Sequence, residues 1–271
     1  MSVKFLDNMS FGQYVPAQSP IHRLDPRCKV VALILLLTGV FLATRPADWI
    51  LWVAMLWLCA RLSQTDLAYL LRSIRTVLLL IIFTAVLNLF LSGGTEIWRW
   101  GVLSVTREGL ELAWTMSLRL ILLVLFANLL TYTTNPMALS DGLESLFSPL
   151  KRIGFPAHEL AMMMTIALRF IPTLLGETDR ILKAQLARGA DLDRGSIVKR
   201  MKAFIPVLVP LFVIVFQRAD DLAVAMEARC YRGGEGRTRM KPFRWKISDT
   251  LALGSCAALV ALQALLNMTV L

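Results

Sequence analysis

The chain is poor in charge: only 18% of its 271 residues are Asp, Glu, Lys or Arg, against ~25% in an ordinary soluble domain. Histidine is nearly absent, with only His22 and His158. The four cysteines, Cys28, Cys59, Cys230 and Cys256, never fall in a Cys-x-x-Cys spacing. They read as small apolar fillers, and a disulfide scaffold is excluded. His158-Glu159 is followed by Met162 where a zinc-protease helix needs its second histidine, so that metal site is missing. No Gly-Lys dipeptide occurs, which excludes a phosphate-binding P-loop and ATP hydrolysis by that route.

What is abundant is apolar. Hydrophobic residues make up 56% of the chain, and the mean hydropathy is +0.62. A disordered chain and most soluble enzymes are excluded, and an integral membrane protein is expected. The net charge of +10 comes from 29 Lys and Arg against 19 Asp and Glu. In a soluble protein this excess would suggest nucleic acid; in a membrane protein it marks cytoplasmic loops.

Five segments read as spans: 30–43, 49–62, 77–91, 112–132 and 251–271. The first three are short. Fourteen helical residues cover only ~21 Å of a ~30 Å hydrocarbon core, so flanking residues must extend them, with Arg45 and Arg61 snorkelling. With the N-terminus inside, segments 1–29, 61–75 and 133–247 hold 25 of the 29 Lys and Arg. This asymmetry sets the expected orientation, N-terminus cytoplasmic and C-terminus external, and accounts for the charge without nucleic acid. Asp7, Asp25 and the late first run argue against a cleaved signal peptide.

The expected fold class is therefore an all-α integral membrane protein of about five transmembrane helices plus a cytoplasmic coupling domain. The N-terminal segment and four helices occupy 1–132, the coupling domain 133–247, and the last transmembrane helix 248–271. Within 133–247, Asn135-Pro136 predicts a helix start, and Leu143, Leu146 and Phe147 share one face. A second helix opens at Pro156, contains Arg169 and Pro172, and ends at Gly189. A third runs from about Ile197 to Tyr231, with prolines at 206 and 210.

The second and third helices end alike. Asp179, Ala184, Ala187 and Arg188 match Asp220, Ala225, Ala228 and Arg229 at one offset of 41 residues. One ending is Ala187-Arg188-Gly189 and the other Ala228-Arg229-Cys230. Two helices closed independently by a cation and a small residue would read the same way. Functionally, small neighbours leave each guanidinium as the only bulky group of its tip, able to enter a groove and meet a carboxylate bidentately. Two similar tips suit two similar grooves.

These residues resemble the T component of energy-coupling-factor transporters. The likeness includes Gly12-Gln13-Tyr14 and Ser19-Pro20-Ile21-His22-Arg23-Leu24-Asp25-Pro26-Arg27. It continues through Ser148-Pro149-Leu150-Lys151, Ala167-Leu168-Arg169-Phe170-Ile171-Pro172, both arginine tips and Tyr231-Arg232-Gly233. The resemblance implies a non-catalytic scaffold, with no catalytic residue and no cofactor or metal in this chain. Two ATP-binding-cassette ATPases, holding ATP and Mg, would dock on Arg188 and Arg229. A separate membrane S component would capture a vitamin or similar micronutrient. Cys230 departs from the family's usual Gly, which makes a left-handed cap there less favourable.

Other readings stay open at this stage: a dedicated cobalt or nickel permease subunit, or a stand-alone secondary transporter. The latter needs ionisable groups around a mid-membrane site, and Arg119 and Arg169 are the only charges well inside apolar runs. A partner for Arg169 is expected at Asp220 or Asp221. Met162, Met163 and Met164, with Leu143, Leu146 and Phe147, form a candidate surface for the S component, since methionine adapts to varied partners; ordinary packing is the alternative. The basic stretch from Arg232 to Lys246 is expected on the anionic inner leaflet of the lipid bilayer, or simply sets topology.

Overall fold

The computed structural model describes residues 14–93, 95–100, 103–190, 196–233 and 243–268. It is helical apart from one hairpin. The elements are α1 (Pro26–Leu42), α2 (Pro46–Ser63), α3 (Leu67–Leu91), β1 (Glu96–Trp100), β2 (Leu103–Thr106), α4 (Arg107–Thr133), α5 (Pro136–Phe147), α6 (Ala157–Ala187), α7 (Ile197–Ala228) and α8 (Ile247–Met268). A 3-10 turn, Ser148–Ile153, follows α5. The chain forms two units, dividing near Leu143 and again near Pro242.

The unit built from α1–α4, the hairpin and α8 is capped by its own sequence. Asp25 caps α1, its carboxylate accepting from the Arg27 N–H at 2.9 Å, with Pro26 in the first turn. Asp66 caps α3 through the Ala68 N–H, and Thr106 caps α4 through the Gly109 N–H. Each cap satisfies an amide that helix geometry leaves orphaned. The β1–β2 hairpin, antiparallel with Arg99 facing Ser104, joins α3 to α4.

One core gathers Leu36, Val40, Trp49, Trp52, Leu122, Phe126 and Cys256 from α1, α2, α4 and α8. A second gathers Ala60, Leu70, Leu125, Leu129 and Tyr132. Helices α1 and α8 run parallel. Asp249 at the start of α8 accepts from the Asp25 N–H at 2.9 Å, while Asn267 near its end donates to the Leu42 carbonyl at 2.7 Å. The end of α8 therefore lies at the opposite end of this unit from the start of α1.

In the other unit, α6 and α7 pack antiparallel. Gln185 donates to the Pro206 carbonyl, Leu182 packs on Val207, and Glu177 meets Arg218. At the far end, Tyr231 reaches His158. Both helices are continuous through Pro172, Pro206 and Pro210.

Among the described residues, five helices are long and apolar enough to cross a membrane by length and composition: Ala68–Leu91, Arg107–Thr133, Ala157–Ala187, Met201–Ala228 and Ile247–Met268. The number matches the sequence reading but the set does not. Helices α1 and α2, read as spans, have only 17 and 18 residues, ~26 Å at 1.5 Å per residue. Helices α6 and α7, read as a coupling domain, qualify because α6 carries only Glu159 and Arg169 over 157–176 and α7 carries no charge over 203–217.

Candidate coupling surface

The two arginine tips are built alike. After α6, Gly189 takes φ +86°, its N–H bonds the Leu186 carbonyl at 3.0 Å, and the Ala190 N–H bonds the Gln185 carbonyl at 3.0 Å. After α7, Cys230 takes φ +54°, its N–H bonds the Glu227 carbonyl at 2.8 Å, and the Tyr231 N–H bonds the Met226 carbonyl at 3.1 Å. Both are Schellman closures, with a left-handed residue reversing the chain onto the last turn. The 41-residue echo is thus a repeat of backbone geometry. Arg188 and Arg229 each occupy the position between helix and reversal, where a cation favours the helix dipole.

Residues 187–189 and 228–230 are all exposed. Among the described residues neither Arg188 nor Arg229 has an ion pair. Because α6 and α7 are antiparallel, the tips leave from opposite ends of the pair. For straight helices this separates them by roughly the length of α6, ~45 Å. Sequence alone placed two tips but not their spacing, which depends on a packing direction that no local pattern encodes.

Cys230 adopts the left-handed conformation in spite of its side chain. A non-glycine residue there costs ~1 kcal/mol. Cys230→Gly is expected to raise the melting temperature of the purified chain by about 2 °C and leave docking intact. A lower melting temperature would mean that the left-handed backbone is not the source of strain.

The expected partner of Arg169 is not found. Arg169 is exposed and makes no ion pair with Asp220 or Asp221. The acid–base pair joining the two helices is instead Arg218–Glu177, at 3.2 Å, with Arg180 3.7 Å from the same carboxylate. Asp179 pairs with Lys183 on its own helix. Positions 177 and 218 are themselves 41 apart. That signal lay in the echo but was hidden, because the two sites carry opposite charges rather than the same residue.

Beneath the second tip runs a polar chain that sequence reasoning did not find. The Tyr231 hydroxyl lies 3.3 Å from His158 Nε2, and His158 Nδ1 lies 2.9 Å from the Glu144 carboxylate. In the neutral tautomer with Nδ1–H donating to Glu144, Nε2 accepts from Tyr231. The residue that completes the α7 closure is thereby tied to α5.

Around Glu144, the expected partner surface is only partly open. Leu143, Leu146 and Met162 are half-buried, while Phe147, Met163 and Met164 are exposed. Phe147 stacks edge-on against Phe155 with centroids 5.9 Å apart.

In the other unit, the motif before α1 forms a knot. His22 Nε2 lies 3.0 Å from the Val15 carbonyl and Nδ1 2.7 Å from Ser19 Oγ. Burial, the largest influence, holds the His22 pKa below its ordinary value. The neutral ring can then donate to Val15 and accept from Ser19. Lys29 donates to the Thr133 carbonyl at 2.8 Å and the His22 carbonyl at 3.3 Å. Asp249 accepts from the amides of Asp25 and Lys246. The motif Ser19–Arg27 thus fastens the starts of α1 and α8 to the end of α4. Gly12, Gln13 and the stretch 234–242 lie outside the described residues.

A family model described as cobalt transport protein (CbiQ) matches residues 17–240. An energy-coupling factor transporter transmembrane protein, EcfT, of Thermanaerovibrio acidaminovorans is 57% identical over 94% of this chain and 95% of its own length. The chain belongs to the T-component family of energy-coupling-factor transporters. The T component of Acidaminococcus fermentans is 51% identical, covering 97% of this chain and 98% of that protein. That of Brevibacillus brevis is 50% identical, covering 89% and 92%. As a T component the chain is the transmembrane part of such a transporter, and a multi-pass membrane protein. A stand-alone secondary transporter and a dedicated cobalt or nickel subunit are not favoured by these relatives.

Proposed function

We propose that this T component is the scaffold that couples two ABC ATPase subunits to a separate substrate-binding S component, driving uptake of a vitamin or similar micronutrient. The observation that carries this reading is the pair of matched, exposed arginine tips at opposite ends of one antiparallel helix pair. A dimer of related ATPases offers two equivalent grooves, and equivalent grooves require equivalent plugs. ATP and Mg belong to those partner chains. Release of the ATPases on loss of both arginines is the experiment that tests it.

The S component docks on the exposed apolar face of Phe147, Met163 and Met164 with its neighbours Leu143, Leu146 and Met162. The chain Tyr231–His158–Glu144 connects this face to the tip at Arg229, so a displacement of that tip reaches α5 through hydrogen-bonded and packed groups. Replacing the three methionines by Ala should weaken retention of the S component about tenfold, with ATPase retention unchanged in the same pull-down. Equal loss of both partners would trace the effect to misfolding.

The N-terminus lies inside and α8 ends outside. The 25-of-29 charge bias supports this orientation, and so does the parallel run of α1 and α8. A membrane-impermeant maleimide should label Thr95→Cys in intact cells and leave the native Cys230 unmodified. External labelling of Cys230 would reverse the topology.

A further inference from the structure

The α1–α4 and α8 unit contains two cavities that meet. One, of about 340 Å³, is apolar and lies among four helices; Leu33, Leu62, Leu130 and Cys256 each line it from a different one. The other, of about 410 Å³, is polar and lies at the start of α1. Leu24, Lys29 and Thr133 line both. Together they match the ~300–1,000 Å³ of sites that hold small ligands.

The polar cavity is cationic. Arg23, Lys29, Arg244 and Lys246 line it, and the one acid is Asp25, which is already engaged by the Arg27 amide at 2.9 Å and by Arg27 Nε at 3.9 Å. Lys29 is 7% exposed and forms no ion pair among the described residues. Its two bonds, to the Thr133 and His22 carbonyls, leave one of the three ammonium donors unused. Thr134 also lines this cavity; it is 4% exposed, and its Oγ1 has no partner. A buried cation whose counter-charges, Asp25 and Asp249, act on it through space without an ion pair, and a buried hydroxyl without a partner, are both costly. They are costly only until an anion with several acceptor oxygens binds.

We propose that the two cavities form one site for an anionic glycerophospholipid. Its phosphate sits among Arg23, Lys29, Arg244 and Lys246, and one acyl chain enters the apolar cavity between α1, α2, α4 and α8. A free phosphate would satisfy the cations but leave the second cavity without an occupant, and a zwitterionic headgroup would bring its own cation into a cationic pocket. The lipid makes part of the bilayer a fixed component of this unit, at the place where the starts of α1 and α8 meet the end of α4. This proposal goes beyond the coupling reading and does not depend on it.

The test uses the full chain in detergent, titrated with dioleoyl phosphatidylglycerol or dioleoyl phosphatidylcholine and read by native mass spectrometry. Phosphatidylglycerol should be retained preferentially. A membrane-adjacent cation contributes about fivefold in affinity, so Arg23→Gln with Arg244→Gln should weaken retention ~25-fold. Both arginines are exposed, and among the described residues their side chains have no hydrogen bond, so the melting temperature without lipid should not change. Arg72→Gln with Arg75→Gln, on α3 and outside both cavities, is the matched control. Ala252→Phe fills the apolar cavity without changing charge and should also weaken retention.

Equal retention of phosphatidylcholine would overturn the proposal, as would an equal loss in the α3 control. If millimolar inorganic phosphate displaces the lipid as effectively as more phosphatidylglycerol does, or if Ala252→Phe has no effect, the site holds a free anion and not a lipid.

Discussion

Replacing Arg188 and Arg229 together by Ala is expected to strip the ATPases from the complex and abolish solute uptake. Each guanidinium stands alone at its tip, flanked by Ala on one side and Gly or Cys on the other, and each is exposed. In a docked complex each would meet a carboxylate in a groove that excludes water. Truncating one member of such a pair typically costs 2–5 kcal/mol, roughly 30- to several-thousand-fold in affinity. The two tips act on one dimer, so the first contact raises the effective concentration of the second. A single substitution should therefore weaken assembly and lower uptake, and the double substitution should lose both. Lys should rescue poorly at either tip, because an ammonium cannot present the planar fork. The Schellman closures use only backbone groups and the residue after each arginine, so Arg→Ala leaves both helix ends folded. Co-purification and uptake for both singles and the double decide the matter. A double variant that keeps its ATPases and transports normally would remove the docking role from these residues.

What could be read in the sequence divides along physical lines. Helix starts were legible where a side chain does the capping: Asn135 accepts from the Met137 N–H at 2.9 Å, as Asn135-Pro136 implied. The two tips were legible because Ala-Arg followed by a small residue is a local pattern. That Cys230 would adopt the glycine conformation was not. The closing bonds after α7 involve Met226, Glu227 and Tyr231, and together they outweigh a cost of ~1 kcal/mol.

Pairings across helices were the part least visible. Arg169 has Asp220 and Asp221 available only if one guesses a register. The antiparallel register of α6 and α7 brings Glu177 to Arg218 instead. Similarly, Asp249 and Lys29 look like ordinary flanking charges of apolar runs. Their roles, bridging α8 to α1 and α1 to α4, follow from α1 and α8 being parallel across a sequence separation of 224. Spans suffered from a different limit. Apolar length does not separate a helix that crosses a bilayer from one whose apolar face meets a partner, and α6 and α7 carry both signatures.

The packing of α1 on α2 gives the other large expected effect. Trp52 is fully buried and its ring packs directly against Gly39. A methyl group on Gly39 would overlap Cη2 and Cζ2 of that ring and touch Val260 Cγ2 of α8 at 3.1 Å. The ring has little room to retreat, because Val40, Trp49, Leu122 and Phe126 enclose the same core. In a bilayer, helices adhere through close packing and not through exclusion of water, so small residues at contacts carry weight. Overpacking by one methyl costs ~1–3 kcal/mol, and Gly39→Leu should exceed that range. Trp52→Ala, which empties the space instead, should cost ~3–5 kcal/mol. The two defects are complementary in volume, so Gly39→Leu with Trp52→Ala should be more stable than the sum of the singles by ~1–3 kcal/mol. The readout is the temperature at which half of the detergent-purified chain leaves the monodisperse peak in size exclusion. Strict additivity would mean that Gly39 and Trp52 are not in contact, and that something other than close approach requires glycine at this position.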